Sequence, residues 1–325
     1  MSLPVALDAM GGDYAPRETV AGALLAAKEG VPIVLVGNEE KLRQELTKQG
    51  GDLPIVHAAE VIDMHAQATE VRRRRQASIN VTMRLVKDGQ AGAAVSMGHS
   101  GATMAAALFT LGRIPGFERP AILAEIPSAA PSGRVHLIDA GANADVRPVH
   151  LAQFARLGAA YAERMSGITR PRIGLLSIGE ESSKGNQLVL EAHPLLKQTG
   201  LNFIGNVEGR DILADVADVV VTDGFTGNVV LKLAEGEARI LFGWIKEALS
   251  SSLKAKLGAL LVKDALKRLA ARMDPAEYGA MPLLGVRGPA FIGHGASDRR
   301  AVKNALVRAD KMASSGLVDV LGSVE

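Results

Sequence analysis

The chain has 325 residues, with 37 lysines and arginines against 35 aspartates and glutamates, 47% hydrophobic residues and only 3% aromatic ones. A chain of this length can bury roughly 75% of its unfolded surface, as one large α/β unit or two lobes, and aliphatic side chains must build its core. The absence of cysteine excludes disulfides, thiolate metal sites and a cysteine nucleophile, and fits a reducing, cytoplasmic setting.

The opening stretch Met1–Asp8 lacks a basic segment and has too short an apolar run for a secretory signal. No run approaches the ~18 apolar residues that would span a bilayer. Short β-branched runs alternate with helical patterns, which predicts a largely parallel sheet covered on both faces, a three-layer α/β sandwich. Strands are expected near 4–8, 32–36, 54–57, 92–96, 121–125, 134–139, 172–177, 201–205, 218–222 and 290–293. Helices are expected near 18–29, 38–48, 72–88, 100–111, 148–166, 186–199, 225–253, 259–273 and 298–314. With no linker or internal repeat, residues 1–325 read as a single catalytic unit, and Pro127–Gly133 as a surface excursion.

Eight of the apolar runs end in a polar, glycine-rich loop. In open α/β sheets such loops lie at the carboxyl ends of strands, where helix N-termini collect anions, so one composite anion site is expected. In Asp8–Asp13, Gly11 and Gly12 suit an anion nest; a helix entry capped by Asp13 and started by Pro16 fits equally well. Lys184 lies just before a helix expected to begin near Asn186, where a cation opposes the helix dipole and therefore points to a bound anion. Asp223, Gly224, Thr226, Gly227 and Asn228 crowd one strand-to-helix turn, a density beyond what a structural turn needs. His99, Ser100, Gly101 and His294 lie in further glycine loops, as does Asn143. The histidines are either anion donors or ordinary solvated side chains.

Familiar signatures are missing. There is no nucleotide P-loop, no G-x-G-x-x-G after the first strand, and Gly98–Gly101 falls short of the G-x-S-x-G nucleophile elbow. No metal-ligand spacing is evident, so neither a metal nor another cofactor is expected.

Two basic segments stand out. Arg72–Arg75 opens an expected helix, either as a solvated face or as a dock for an acidic partner; without interleaved aromatics, nucleic acid is not the expected partner. Residues 253–273 carry six basic side chains and one acid, Asp264. Two apolar stripes out of phase with each other predict a break near Gly258–Leu261 and a helical hairpin over about 242–275. In its second helix Val262, Leu266 and Leu269 oppose Lys263, Lys267 and Arg268. That pattern fits either an interfacial membrane helix or a packed surface helix with a solvated basic face.

The motifs Asp8–Pro16, Ser96–Ala102, Asp139–Asn143, Gly179–Asn186, Gly205–Asp211, Asp218–Lys232 and Pro282–Ser297 run in order along nearly the whole chain. Together they resemble the bacterial phosphate acyltransferases of phospholipid synthesis. The family usually has Ala-Gly-Asn-Thr-Gly where this chain has Met97–Gly101, and His-Gly-Ser-Ser where this chain has His294–Ser297. The resemblance implies a sandwich similar to phosphotransacetylase and isocitrate dehydrogenase, and a homodimer. It also implies transfer of an acyl group from acyl carrier protein to inorganic phosphate. On that reading Lys184 and Asn228 are catalytic, Arg73 and Arg74 or the 253–273 face meet the acidic carrier protein, and the hairpin touches the membrane surface. A short-chain phosphotransacetylase and a non-enzymatic membrane scaffold are the competing readings.

Overall fold

The computed structural model describes residues 2–64 and 66–323. The strands are Val5–Asp8 (β1), Ile33–Gly37 (β2), Ile55–His57 (β3), Ala93–Ser96 (β4), Ala121–Pro127 (β5), Arg134–Ile138 (β6), Ile173–Leu176 (β7), Phe203–Val207 (β8), Val219–Val221 (β9), Ala280–Leu284 (β10) and Ala290–Gly293 (β11). The helices are Arg17–Lys28 (α1), Glu39–Gln49 (α2), Ser78–Lys87 (α3), Ser100–Thr110 (α4), Pro148–Ser166 (α5), Gln187–Lys197 (α6), Gly224–Ser250 (α7), Leu253–Leu261 (α8), Lys263–Met273 (α9), Arg299–Ser314 (α10) and Leu317–Gly322 (α11).

The strands form one sheet in the order β3-β2-β1-β4-β11-β10-β5-β6-β9-β7-β8. Most residues of β1, β2, β4, β7, β9 and β11 are buried, as β-branched and aliphatic runs covered on both faces must be. Helices α1, α2, α5, α6, α10 and α11 pack on one face around the largest core cluster, with Phe154, Tyr161 and Phe291 its largest buried side chains. Helices α3, α4 and α7 cover the other face. The three-layer sandwich with a mostly parallel sheet is therefore the fold.

Pairing directions divide the sheet. β3, β2, β1, β4 and β11 are mutually parallel, as are β6, β9, β7 and β8. Between them β11–β10, β10–β5 and β5–β6 are all antiparallel. Three reversals make the second group run opposite to the first, so the carboxyl ends of the two groups open at opposite ends of the sheet.

β10 has no counterpart in the sequence reading. Pro282 at its centre lacks a backbone donor and reads as a breaker. The strand accommodates it because β5 pairs with β10 only at Leu283 and Leu284. The helix expected at 72–88 is also shorter. A 3-10 turn covers Ala68–Arg72, and α3 begins only at Ser78. The Asn80 amide donates to the Val71 and Arg74 carbonyls at 2.8 and 2.9 Å, holding the arginine segment as a turn ahead of the helix. Past Ser250 the chain breaks twice, at Ser251–Ser252 and at Val262, giving three helices where the sequence pattern gives two. Ser252 caps α8 by accepting from the Ala255 amide at 3.1 Å.

Candidate functional site

The first cluster of loops follows β1, β4 and β11. Asp8 is buried and accepts the Ser96 hydroxyl at 2.8 Å; Ser96 Oγ in turn accepts the Gly98 amide at 3.1 Å. Burial pushes the Asp8 carboxyl above the usual range, against the pull of hydroxyl and amide donors. Gly11 fits against this triad because a Cβ there would lie 2.8 Å from Asp8 Oδ2 and 2.9 Å from the Gly98 nitrogen. Gly12, at φ +110, turns the loop towards the β11 exit, where the Asp13 amide donates to the Gly295 carbonyl at 2.8 Å. Asp13 is thus not the cap of α1, whose N-cap is Pro16 with no side-chain bond.

His99 caps α4. Its Nδ1 accepts the Ala102 amide at 3.0 Å, the acceptor role open to an asparagine at the same place, and this leaves Nε2 as the protonated nitrogen. Ser100 and Gly101 form the first turn of α4. His294 is exposed, and its Nδ1 accepts the Ala296 amide at 3.2 Å, which makes it a local turn acceptor.

The second cluster follows β6, β9 and β7 at the opposite end of the sheet. Its centre is Asp139, fully buried, which the sequence reading passed over in favour of its neighbours. Asp139 Oδ1 accepts the amides of Ile122, Gly141 and Ala142 at 3.0, 3.1 and 2.9 Å. Oδ2 accepts both the amide and the side-chain nitrogen of Asn143 at 2.8 Å. Burial raises its pKa, and these donors oppose that shift by favouring the carboxylate. The signal in the sequence was an Asp at a strand end followed by glycine and asparagine, a pattern shared with ordinary turns.

This carboxylate shapes the start of α7. The Gly224 amide donates to the Asn143 carbonyl at 2.8 Å, and Asp223 caps the helix by accepting the Thr226 amide and hydroxyl at 2.8 and 2.7 Å. Gly227 passes so close that a Cβ would lie 1.9 Å from the Asp139 carbonyl oxygen. Asn228 follows one residue later, its amide nitrogen 3.3 Å from the Ala140 carbonyl. The Lys184 loop leaves β7, which pairs with β9, so it belongs to this same end. Lys184 is exposed and makes no ion pair among the described residues. Asn186 caps α6 by accepting the Val189 amide at 3.0 Å.

The expected single composite site is thus corrected. Within one chain Asp8, Gly11, Gly12, His99, Ser100, Gly101 and His294 belong to one cluster. Asn143, Lys184, Asn186, Asp223, Gly224, Thr226, Gly227 and Asn228 belong to another. The periodicity of the sequence reveals strand ends but not strand direction: β10 runs antiparallel to both β11 and β5, and the antiparallel β5–β6 pair then turns the second group against the first.

The arginine segment is exposed, with Arg72 and Arg74 tied down. Arg72 stacks over Phe109 at 4.1 Å and Arg74 pairs with Glu70 at 3.1 Å, whereas Arg73 projects into solvent. Neither α8 nor α9 buries a residue. Leu253, Leu257, Leu260, Leu261, Val262 and Leu269 are exposed, Leu261 by 87%, and Leu266 is half-buried; Lys263 and Lys267 are exposed beside them. Phe225, Val229, Leu233, Ile240 and Trp244 form a further exposed stripe along α7. No described helix is long and apolar enough to cross a membrane.

Fold and strand-end loops together describe a three-layer α/β sandwich with polar, glycine-rich strand exits at both ends of its sheet. Among solved structures, a phosphotransacetylase from Streptococcus pyogenes superposes with a TM-score of 0.64 at 20% identity, covering 96% of this chain and 94% of that one. A branched-chain phosphotransacylase from Enterococcus faecalis gives 0.59 at 14% identity, with 96% and 99% covered. At these identities the likeness shows the fold alone. The sequence goes further. Residues 3–319 match the family described as "Fatty acid synthesis protein". A protein named phosphate acyltransferase from Thermus thermophilus is 63% identical over 315 residues, 97% of this chain and 96% of its own. One of the same name from Pelotomaculum thermopropionicum is 52% identical over 328 residues, 99% and 95% of the two chains. The chain belongs to the phosphate acyltransferase family and is an enzyme of the acyltransferase class.

Proposed function

We propose that the enzyme transfers an acyl group from acyl-[acyl carrier protein] to inorganic phosphate, releasing acyl phosphate and free carrier protein for membrane phospholipid synthesis. The observation that carries this reading is the Asp139-organised turn, which sets Asn228 at the N-terminus of α7 at the same sheet end as Lys184, a lysine with no ion pair among the described residues. Phosphate is itself the nucleophile. One of its oxygens attacks the thioester carbon to give a tetrahedral oxyanion, whose collapse re-forms the carbonyl, breaks the C–S bond and releases the thiolate of the carrier's arm. No serine or cysteine nucleophile is required, and a thiolate leaves without a strong general acid. Lys184 neutralises phosphate, and Asn228 with the helix amides orients it and the developing oxyanion.

Three further features support the reading. Arg73 offers an exposed positive charge to an acidic carrier protein. The uncovered leucines and lysines of α8 and α9 fit peripheral, reversible attachment at the cytoplasmic membrane surface, where a long-chain acyl phosphate would be released. The exposed stripe of α7 fits contact with a second copy in a homodimer. The test mixes purified protein with palmitoyl-carrier protein and phosphate and traps acyl phosphate with hydroxylamine. Turnover of acetyl-CoA in place of the carrier substrate would instead favour the short-chain reading, which the phosphotransacetylase fold keeps in play.

A further inference from the structure

A cavity of about 470 Å³ lies on the face away from α7, between α5, α10 and the β5–β6 pair, outside both strand-end clusters. Its floor is Glu125, whose side chain is 4% exposed and which pairs with both Arg134 and Arg308. The Tyr161 hydroxyl donates to Glu125 at 2.9 Å and accepts from Arg308 at 2.8 Å; burial pushes its pKa up, so it stays a neutral donor. Arg308 also donates to the Tyr278 and Ala280 carbonyls at 2.7 and 3.1 Å, which fixes its guanidinium in place. Arg134 and Arg308 flank the Tyr278 ring at 5.4 and 6.0 Å.

The charges in this cavity do not balance. Arg134, Arg308 and Lys311 face it, and Glu125 is the carboxylate that pairs with the two arginines. Lys311 donates to the Met165 carbonyl at 2.8 Å and makes no ion pair among the described residues. Glu277 at the rim shares Arg300 with Asp274, and Arg272 approaches the Gly133 turn at the mouth. Arg308 and Arg134 share the single carboxylate of Glu125, and Lys311 stands exposed beside them, so the lining keeps an excess of positive charge that a bound anion offsets. Guanidinium and ammonium groups together suit phosphate oxygens, while Met165, Val307 and the Tyr161 ring supply an apolar wall.

We infer that this cavity is a second, non-catalytic site for a small phosphate monoester, its phosphate held by Arg134 and Lys311 and its carbon part against Met165 and Val307. The volume falls within the range of small-ligand sites. Arg308 and Glu125 are positioning residues that hold Arg134 and the floor.

The probe is β-glycerophosphate, titrated calorimetrically at low salt into the full-length Lys184→Ala protein, so that the proposed catalytic phosphate site is disabled. A saturable site should remain, and adding Lys311→Gln should weaken it about tenfold, as loss of one charge-assisted contact does. Lys311 holds no ion pair among the described residues, so this variant leaves the Glu125 network intact; Arg134→Gln, checked for folding by circular dichroism, should weaken binding similarly. Absence of saturable binding in the Lys184→Ala background, or affinity indifferent to both cavity substitutions, would overturn the inference. The loss of affinity on Lys311→Gln and Arg134→Gln reads the cavity itself and does not require Lys184 to take part in catalysis.

Discussion

Replacing Gly227 with alanine should separate activity from stability. The added Cβ would stand 1.9 Å from the Asp139 carbonyl oxygen and 3.0 Å from its carbonyl carbon, against backbone that cannot swing aside as a side chain could. Relief requires α7 and the Asp139 loop to part by more than an ångström. The fully buried residues of α7 are Gly224 and Gly227, with Val230, Leu231 and Ala234 partly packed on the sheet, so a displacement at Gly227 moves the first turn that carries Asn228. Overpacking of this kind costs about 1–3 kcal/mol, whereas displacing a catalytic group by an ångström costs about 10²-fold in rate. Gly227→Ala should therefore fold, melt several degrees lower, and lose about 10²-fold in hydroxylamine-trapped acyl phosphate. Gly236→Ala is the control. Nothing lies within 4 Å of a Cβ there, and replacing a helical glycine should raise stability by up to ~1 kcal/mol with unchanged rate. A Gly227→Ala enzyme with wild-type melting and turnover would refute the tight approach of α7 to Asp139 and the placement of Asn228 that depends on it.

Lys184→Ala and Asn228→Ala should each lower turnover by ~10²–10³ with the fold intact by circular dichroism, the range for losing one preorganised donor; near-wild-type rates in both would remove them from the mechanism. Arg73→Glu with Arg74→Glu should raise KM for acyl-carrier protein and flatten its salt dependence while saturated turnover holds; an unmoved KM would shift the dock to the lysines of α8 and α9. Leu266→Glu with Leu269→Glu should abolish sedimentation with anionic vesicles while leaving melting unchanged, because α9 buries nothing; a lost melting temperature would mean that these leucines pack on protein. Glu18 bridges α1 to α10 through Arg299, whose guanidinium and amide bonds hold its carboxyl down at about 2. A depressed carboxylate contributes stability that is present above the ordinary range and lost as pH falls towards 2, so the thermal advantage of wild type over Glu18→Gln should shrink over that interval; an advantage independent of pH would sink the assignment.

The sequence by itself determined the local structure. Alternating β-branched runs and helical patterns located ten of the strands and the helices that cover them, because period and turn chemistry are properties of neighbouring residues. Glycine density likewise marked Asp223–Asn228 as a crowded strand-to-helix turn, and phase marked a break close to Val262. Tertiary structure decided the rest. Whether the loop after β4 and the loop after β6 meet depends on strand direction, and the antiparallel β5–β6 pair sets β6 opposite to β4. Asp139 looked like any turn aspartate until burial and five donors made it the organiser of α7. The pairing of Glu125 with Arg134 and Arg308 joins residues up to 183 positions apart, a separation that no local pattern spans. The leucines of α8 and α9 were legible as apolar from the start, but only the three-dimensional packing left them uncovered.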